Sequence, residues 1–89
     1  MSGTAISVAM PTYNGERFLR EQLDSLVRQT LLPVELVVCD DGSTDSTVEI
    51  LRRFVTSAPF PVRLYQNDTR LGPGFNFLSA LARCAGDLV

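Results

Sequence analysis

Apolar runs and polar loops alternate along the 89 residues. Three short runs rich in β-branched residues, at residues 5–10, 34–39 and 62–65, predict strands. Pro11 is expected to end the first strand, and the polar cluster that begins at Asp40 to end the second. The third run alternates apolar and polar positions, which is typical of a strand near the edge of a sheet.

Apolar positions with helical spacing separate these runs. Residues 15–30 predict a first helix whose apolar face consists of Leu19, Leu23, Leu26 and Val27. A second helix is expected to begin at Ser46, because Ser46 and Glu49 have the spacing of a capping box, and to end before Pro59.

A third helix is expected over residues 75–84, after Gly72-Pro73-Gly74, which are expected to interrupt the regular secondary structure. Its apolar side is predicted to contain Leu78, Leu81 and Ala82. Residues 87–89 look like the beginning of a further strand.

Strands that alternate with helices predict an α/β fold with a parallel, Rossmann-like sheet, right-handed crossovers and helices on both faces, that is, three α/β/α layers. One domain over residues 1–89 is expected, because the chain is short and contains no linker or repeat. Ligands of such sheets bind beyond the carboxyl ends of the strands. The segments after Met10, Cys39 and Tyr65 are therefore the candidate binding loops.

Composition narrows the function classes. The chain is 45% hydrophobic and 20% charged with a net charge of −2, which fits a globular protein and argues against a nucleic-acid surface. It contains no His, which makes a zinc site or a His-activated nucleophile improbable. Cys39 and Cys84 are expected to be reduced structural thiols. No signal peptide or membrane span is recognised, so a cytoplasmic location is expected.

The loop after the first strand contains Pro11, Thr12, Tyr13, Asn14 and Gly15. An aromatic ring at the rim of the sheet can stack on a flat base, and the following helix start offers free N–H groups. In a purely structural alternative, Pro11 stops the strand, Asn14 caps the helix and Tyr13 packs over the sheet edge.

The loop after the second strand begins with two adjacent carboxylates, Asp40 and Asp41. Neighbouring side chains on an extended segment point to opposite sides. One carboxylate can therefore accept a hydrogen bond from the imide N–H of uracil or thymine, while the other caps backbone amides. Structural capping explains Ser43 and Asp45 well, but two like charges directly behind a buried strand favour a functional role.

The third loop contains Arg70 between Asn67 and Asn76. Arg70 can neutralise a diphosphate, and Gly72 and Gly74 allow close approach of the backbone; a solvated surface arginine is the alternative. Three other nucleotide-binding or acidic-pair folds are excluded. The first strand is not followed by GxGxxG, a P-loop needs a lysine that this chain lacks, and receiver domains place their acidic pair after the first strand.

Three segments together closely resemble glycosyltransferase family 2, a family of inverting enzymes with a GT-A fold: SVAMPTYNG at residues 7–15, QT at 29–30 and VVCDDGSTD at 37–45. Asn67, Gly72, Asn76 and residues 85–87 resemble the next blocks of that family. The resemblance implies transfer of a sugar from a nucleoside diphosphate donor, of UDP or dTDP type, to a glycan hydroxyl, as in cell-envelope polysaccharide synthesis.

The resemblance also implies roles for individual residues. Pro11 and Tyr13 would line the base pocket, and Asp41 would bind the base imide. Asp40 would support the loop or contact the ribose, and Asp45 would be structural. Residues 22–25 and 76–77 look like a rhamnosyltransferase subgroup.

Members of this family carry an acidic motif for Mg²⁺ or Mn²⁺ a few residues beyond the position of Val89, and their general base lies further on. A divalent metal is therefore expected in the full-length enzyme, whereas no metal, no catalytic residue and no sugar transfer are expected of these 89 residues. The half-domain would expose the strand at 5–10 as a sheet edge and self-associate. A non-catalytic nucleotide-binding or regulatory module and a purely structural fragment are the alternatives.

Overall fold

The computed structural model describes residues 6–84, in which three parallel strands alternate with three helices. The elements are β1 Ser7–Thr12, α1 Glu16–Val27, β2 Glu35–Asp40, α2 Thr47–Ser57, β3 Val62–Gln66 and α3 Pro73–Ala82. The strand order is β1-β2-β3, and both pairs are parallel. The predicted α/β class is confirmed. The strand predicted at 87–89 lies outside the described residues.

The main core lies between β2 and the pair α1 and α2. Its buried side chains are Leu19, Leu23, Leu36, Val38, Ile50, Leu51 and Phe60. Alternate residues of β2 point the other way, toward α3, where the buried cluster contains only Val37, Cys39 and Ala80. All six residues of β2 are buried, because the strand has a neighbour on each side and helices above and below. The side chains along β2 are thus covered on both faces of the sheet.

The first strand extends past Pro11, so the prediction that Pro11 ends it is wrong. The carbonyls of Ile6 and Thr12 accept hydrogen bonds from the N–H groups of Val34 and Asp41, at N–O distances of 2.9 and 3.0 Å. Because successive backbone groups alternate in direction, the nitrogen of Pro11 faces away from β2. No ladder bond is lost there, and β1 continues to Thr12.

The capping contact of α2 and the start of α3 differ from the predictions, whereas the predicted start of α2 at Ser46 agrees with the structure. Ser46 precedes α2 but its side chain makes no capping bond; the carboxylate of Asp45 instead accepts from the N–H of Thr47 at 2.9 Å, which takes the place of the predicted capping box. The third helix begins at Pro73, because proline fits the first helical position, and Gly72 supplies the turn with φ 86°.

The face of α3 that packs on the sheet is also different from the prediction. Asn76 and Ala80 are its buried residues, whereas Leu78 is 56% exposed. Small side chains beneath the helix, among them Ala9, favour a close approach that a leucine face would prevent. Leu78 therefore points to solvent, whereas Leu81 is half-buried. Among residues 6–84 no helix is long and apolar enough to cross a membrane.

Candidate functional site

The carboxyl ends of the three strands meet at one edge of the sheet, where Thr12, Asp40 and Gln66 are in register. The loops that follow enclose a pocket of about 130 Å³, which is lined by Pro11, Thr12, Tyr13, Asp41, Arg70, Pro73 and Asn76. Five predicted site residues are in this lining. The other two, Asn14 and Asp40, lie beside it, and Pro73 and Asn76 were not predicted.

Asp40 supports the loop that it begins. Its Oδ2 accepts from the N–H groups of Gly42 and Ser43 at 3.2 and 2.9 Å. Its Oδ1 accepts from the hydroxyls of Ser43 at 2.6 Å and Thr12 at 2.7 Å. With 1% of its surface exposed, the Asp40 carboxylate is fully engaged in joining the second loop to β1.

Asn14 joins the first loop to the second. Its backbone has φ 46°, a conformation that asparagine tolerates better than most residues, and its Oδ1 accepts from the N–H of Thr44 at 2.7 Å. The cap of α1 is Gly15, so the alternative in which Asn14 caps that helix is wrong. Side chains of α2 and of the second loop satisfy the start of α1 instead: the N–H groups of Gly15 and Glu16 donate to Thr47 and Asp45 at 2.9 and 3.2 Å.

Asp41 turns to the other side of the strand and binds the third loop. Its Oδ1 accepts from the side-chain amide of Asn67 at 3.0 Å and the N–H of Leu71 at 2.8 Å, and its Oδ2 accepts from the N–H of Gly72 at 2.9 Å. The bonds from Leu71 and then Asn67 hold the pKa of Asp41 below its ordinary value. The pocket thus contains an ionised carboxylate at neutral pH, although only 2% of Asp41 is exposed.

Arg70 lies across the mouth of the pocket. Its guanidinium carbon is 3.8 Å from the centroid of the Tyr13 ring, and Nη1 donates to the Tyr13 hydroxyl at 3.0 Å. Its Nε is 3.8 Å from Oδ2 of Asp41. A flat cation therefore stacks on the ring of Tyr13 and covers the face that it contacts.

The buried amide of Asn76 links α3 to β2. Its Nδ2 donates to the carbonyl of Cys39 at 2.8 Å, and its Oδ1 accepts from Asn67 at 2.8 Å. In the sequence, the signal for this role is that Asn76 lies four positions before Ala80, on the small-residue side of a helix whose large apolar residues are elsewhere. Both Cys39 and Cys84 are free thiols, and burial raises the pKa of Cys84.

Metal ligands are not grouped in the described part of the chain: within residues 6–84 no three His, Cys, Asp or Glu side chains are placed to hold an ion. Asp40, Asp41 and Asp45 are near one another in sequence, but each is engaged with N–H or O–H donors.

The known proteins to which this chain is similar belong to one class of enzymes. Residues 7–89 match the family described as glycosyl transferase family 2. The putative glycosyltransferase EpsE of Bacillus subtilis is 34% identical over 88 residues, which cover 99% of this chain and 32% of that protein.

Two solved structures share both the fold and part of the sequence. S. aureus TarS in complex with UDP-GlcNAc has a TM-score of 0.82 and 35% identity, over 94% of this chain and 25% of that one. The mannosyltransferase PcManGT from Pyrobaculum calidifontis, in complex with GDP-Man and Mn²⁺, has a TM-score of 0.83 and 30% identity, over 97% of this chain and 26% of that one. The chain thus spans about a quarter to a third of these relatives.

Proposed function

Since this chain belongs to glycosyl transferase family 2, we propose that its pocket binds the nucleotide of a nucleoside diphosphate-sugar donor. The complexes of TarS with UDP-GlcNAc and of PcManGT with GDP-Man support this donor class. The whole protein would transfer the sugar to a hydroxyl of a glycan acceptor.

One observation supports the base-binding role most strongly: the pocket combines an ionised, nearly buried carboxylate with an aromatic face. Uracil, thymine and guanine each carry a ring N–H next to a carbonyl, whereas cytosine and adenine lack this donor. Oδ2 of Asp41 would accept that N–H while the base stacks on Tyr13. UDP and dTDP are the predicted nucleotides, and the same chemistry extends to GDP.

The other pocket residues have supporting roles in this proposal. Arg70 leaves the Tyr13 ring when a base stacks there, and its charge can then bind the diphosphate. Pro11 and Thr12 form the wall beside the ring. Asn14 and Asp40 do not line the pocket; their side chains support it by holding the first two loops together.

The proposal assigns no catalytic residue to residues 6–84. A divalent metal for the full-length enzyme is supported by the Mn²⁺ in the PcManGT complex, and its ligands are assigned, from the sequence resemblance, to the acidic motif of the family. A rhamnose-type donor and a cell-envelope glycan as acceptor, which rest on the sequence resemblance alone, and a cytoplasmic location complete the proposal.

Titration calorimetry tests the base pocket. UDP, dTDP and GDP are expected to bind with or without Mn²⁺, and CDP and ADP at least about tenfold more weakly, as expected for loss of one charged hydrogen bond. Asp41→Ala should abolish this preference. Asp24→Ala is the matched control, because Asp24 lines a separate groove between α1 and α2. Equal affinity for all five nucleotides, or no binding at millimolar concentration, would contradict the proposal.

A further inference from the structure

Asn67 lies between the pocket carboxylate and the third helix without lining the pocket. The two hydrogens of its side-chain amide are both used: Nδ2 donates to Oδ1 of Asp41 at 3.0 Å and to Oδ1 of Asn76 at 2.8 Å. Its backbone N–H donates to the carbonyl of Asp40 at 2.9 Å. The residue is therefore fixed at both its backbone and its side chain.

The direction of these bonds leaves no alternative orientation of the amides. The amide nitrogen of Asn76 faces the carbonyl of Cys39, which is an acceptor only, so the oxygen of Asn76 must face Asn67. Asn67 must then present its nitrogen to both Asn76 and Asp41. The buried position of Asn76, 2% exposed, keeps water from replacing this bond.

The two oxygens of Asp41 differ in how much of their bonding capacity is used. Oδ1 accepts two short bonds, from Asn67 and Leu71. Oδ2 accepts one short bond, from Gly72, and has the guanidinium of Arg70 at 3.8 Å. A carboxylate oxygen offers about two lone-pair directions, so Oδ2 is the atom that has room for a ligand N–H.

We infer that Asn67 is a positioning residue for base recognition: by occupying Oδ1 of Asp41 it turns Oδ2 toward the base. This inference rests on the proposed nucleotide site. Asn67 itself makes no ligand contact, since it is not part of the pocket lining. Its removal takes away one of the two bonds to Oδ1 and leaves only two backbone N–H groups to hold the carboxylate, so the ability to distinguish uracil from cytosine decreases.

The test compares UDP with CDP on four proteins, by calorimetry: the unchanged chain, Asn67→Ala, Asn67→Ser and Gln66→Ala. Asn67→Ala is expected to lower the affinity for UDP about tenfold and the affinity for CDP less than about twofold. CDP is less affected because it lacks the ring N–H that Oδ2 accepts. Asn67→Ser keeps a single hydroxyl donor and should be intermediate. Gln66→Ala is the control, because this neighbouring side chain is exposed.

The outcomes separate this inference from the proposed function. If the unchanged chain binds UDP and CDP equally, or Asp41→Ala keeps the preference for UDP, the base pocket itself is wrong. If Asp41→Ala loses the preference and Asn67→Ala keeps it, only the role of Asn67 is overturned. If the affinities for UDP and CDP fall equally, or if both Asn67 variants lose the fold by circular dichroism, Asn67 has a purely structural role.

Discussion

Two adjacent aspartates with different partners form the centre of the site. Asp40 accepts hydrogen bonds from its own loop and from Thr12, whereas Asp41 accepts them from the loop after β3. The alternation of an extended strand separates the two side chains, and the surrounding N–H and O–H groups offset their like charges. The alternation of the strand predicts this division, and the family resemblance implies that Asp41 is the aspartate on the pocket side. The alternation alone does not reveal this, because it depends on the position of the third loop.

Acid should destabilise the fold through Asp41 and Asp45. N–H and hydroxyl donors lower the pKa of both groups, Leu71 first for Asp41 and Thr47 first for Asp45. A folded pKa below the unfolded one means that the stabilisation is present above the ordinary pKa of 3.8 and is lost as pH falls through the lower, folded value.

Urea unfolding at a series of pH values measures this effect. We expect Asp41→Asn to be less stable at neutral pH and to have a flatter decline in unfolding free energy below about pH 4. Asp24→Asn, on the exposed side of α1, should keep the original slope. An unchanged slope in Asp41→Asn would show that the acid response arises elsewhere.

The buried amide of Asn76 is expected to contribute to stability. Asn76→Ala removes the buried bonds to the carbonyl of Cys39 and to the amide of Asn67 and should lower the unfolding free energy by about 1–3 kcal/mol. Denaturant unfolding monitored by circular dichroism measures the change. A loss below about 0.5 kcal/mol would mean that this bond contributes little to the net stability.

At the scale of elements, apolar periodicity predicted every strand and helix within residues 6–84, because burial dictates those patterns. The predictions are wrong where contacts with a neighbouring segment determine the local structure. Pro11 is accepted because its nitrogen faces away from β2, and Asp45 caps α2 because the loop brings it there. The packed face of α3 depends on the small side chains of the sheet beneath it, which helical spacing alone does not reveal.

The first two loops are joined through Thr47 at the start of α2. Its buried hydroxyl accepts from the N–H of Gly15 at 2.9 Å and donates to Asp45. Thr47→Val keeps the shape but leaves that N–H without its partner, so the unfolding free energy should fall by about 1–3 kcal/mol. Thr56→Val, an exposed position on the same helix, should change it by less than about 0.5 kcal/mol. Equal effects of the two variants in denaturant unfolding would contradict this role.

For the whole molecule, the outer edge of β1 is uncovered by any other described strand. Phe75 and Leu78, on α3 above the same side of the sheet, are 71% and 56% exposed. We propose that the 89-residue chain self-associates through this edge. Pro11 removes one donor from it, so pairing would use the N–H group of Ala9.

Sedimentation and hydrogen exchange test this association. The mean mass should rise with protein concentration, and the amide of Ala9 should become protected in parallel. The amides of Val8 and Met10, which face β2, serve as controls because they should be protected at every concentration. A monomer at all concentrations would contradict edge pairing.

The location of the ligand is the most direct test of the nucleotide-binding account. Titration of the ¹⁵N-labelled chain with UDP, followed by two-dimensional NMR, should shift the amide signals of Tyr13, Asp41, Leu71 and Gly72. Signals around the groove between α1 and α2, such as those of Arg20 and Arg53, should stay in place. Shifts confined to that groove, or none at saturating UDP, would contradict the assignment of the pocket.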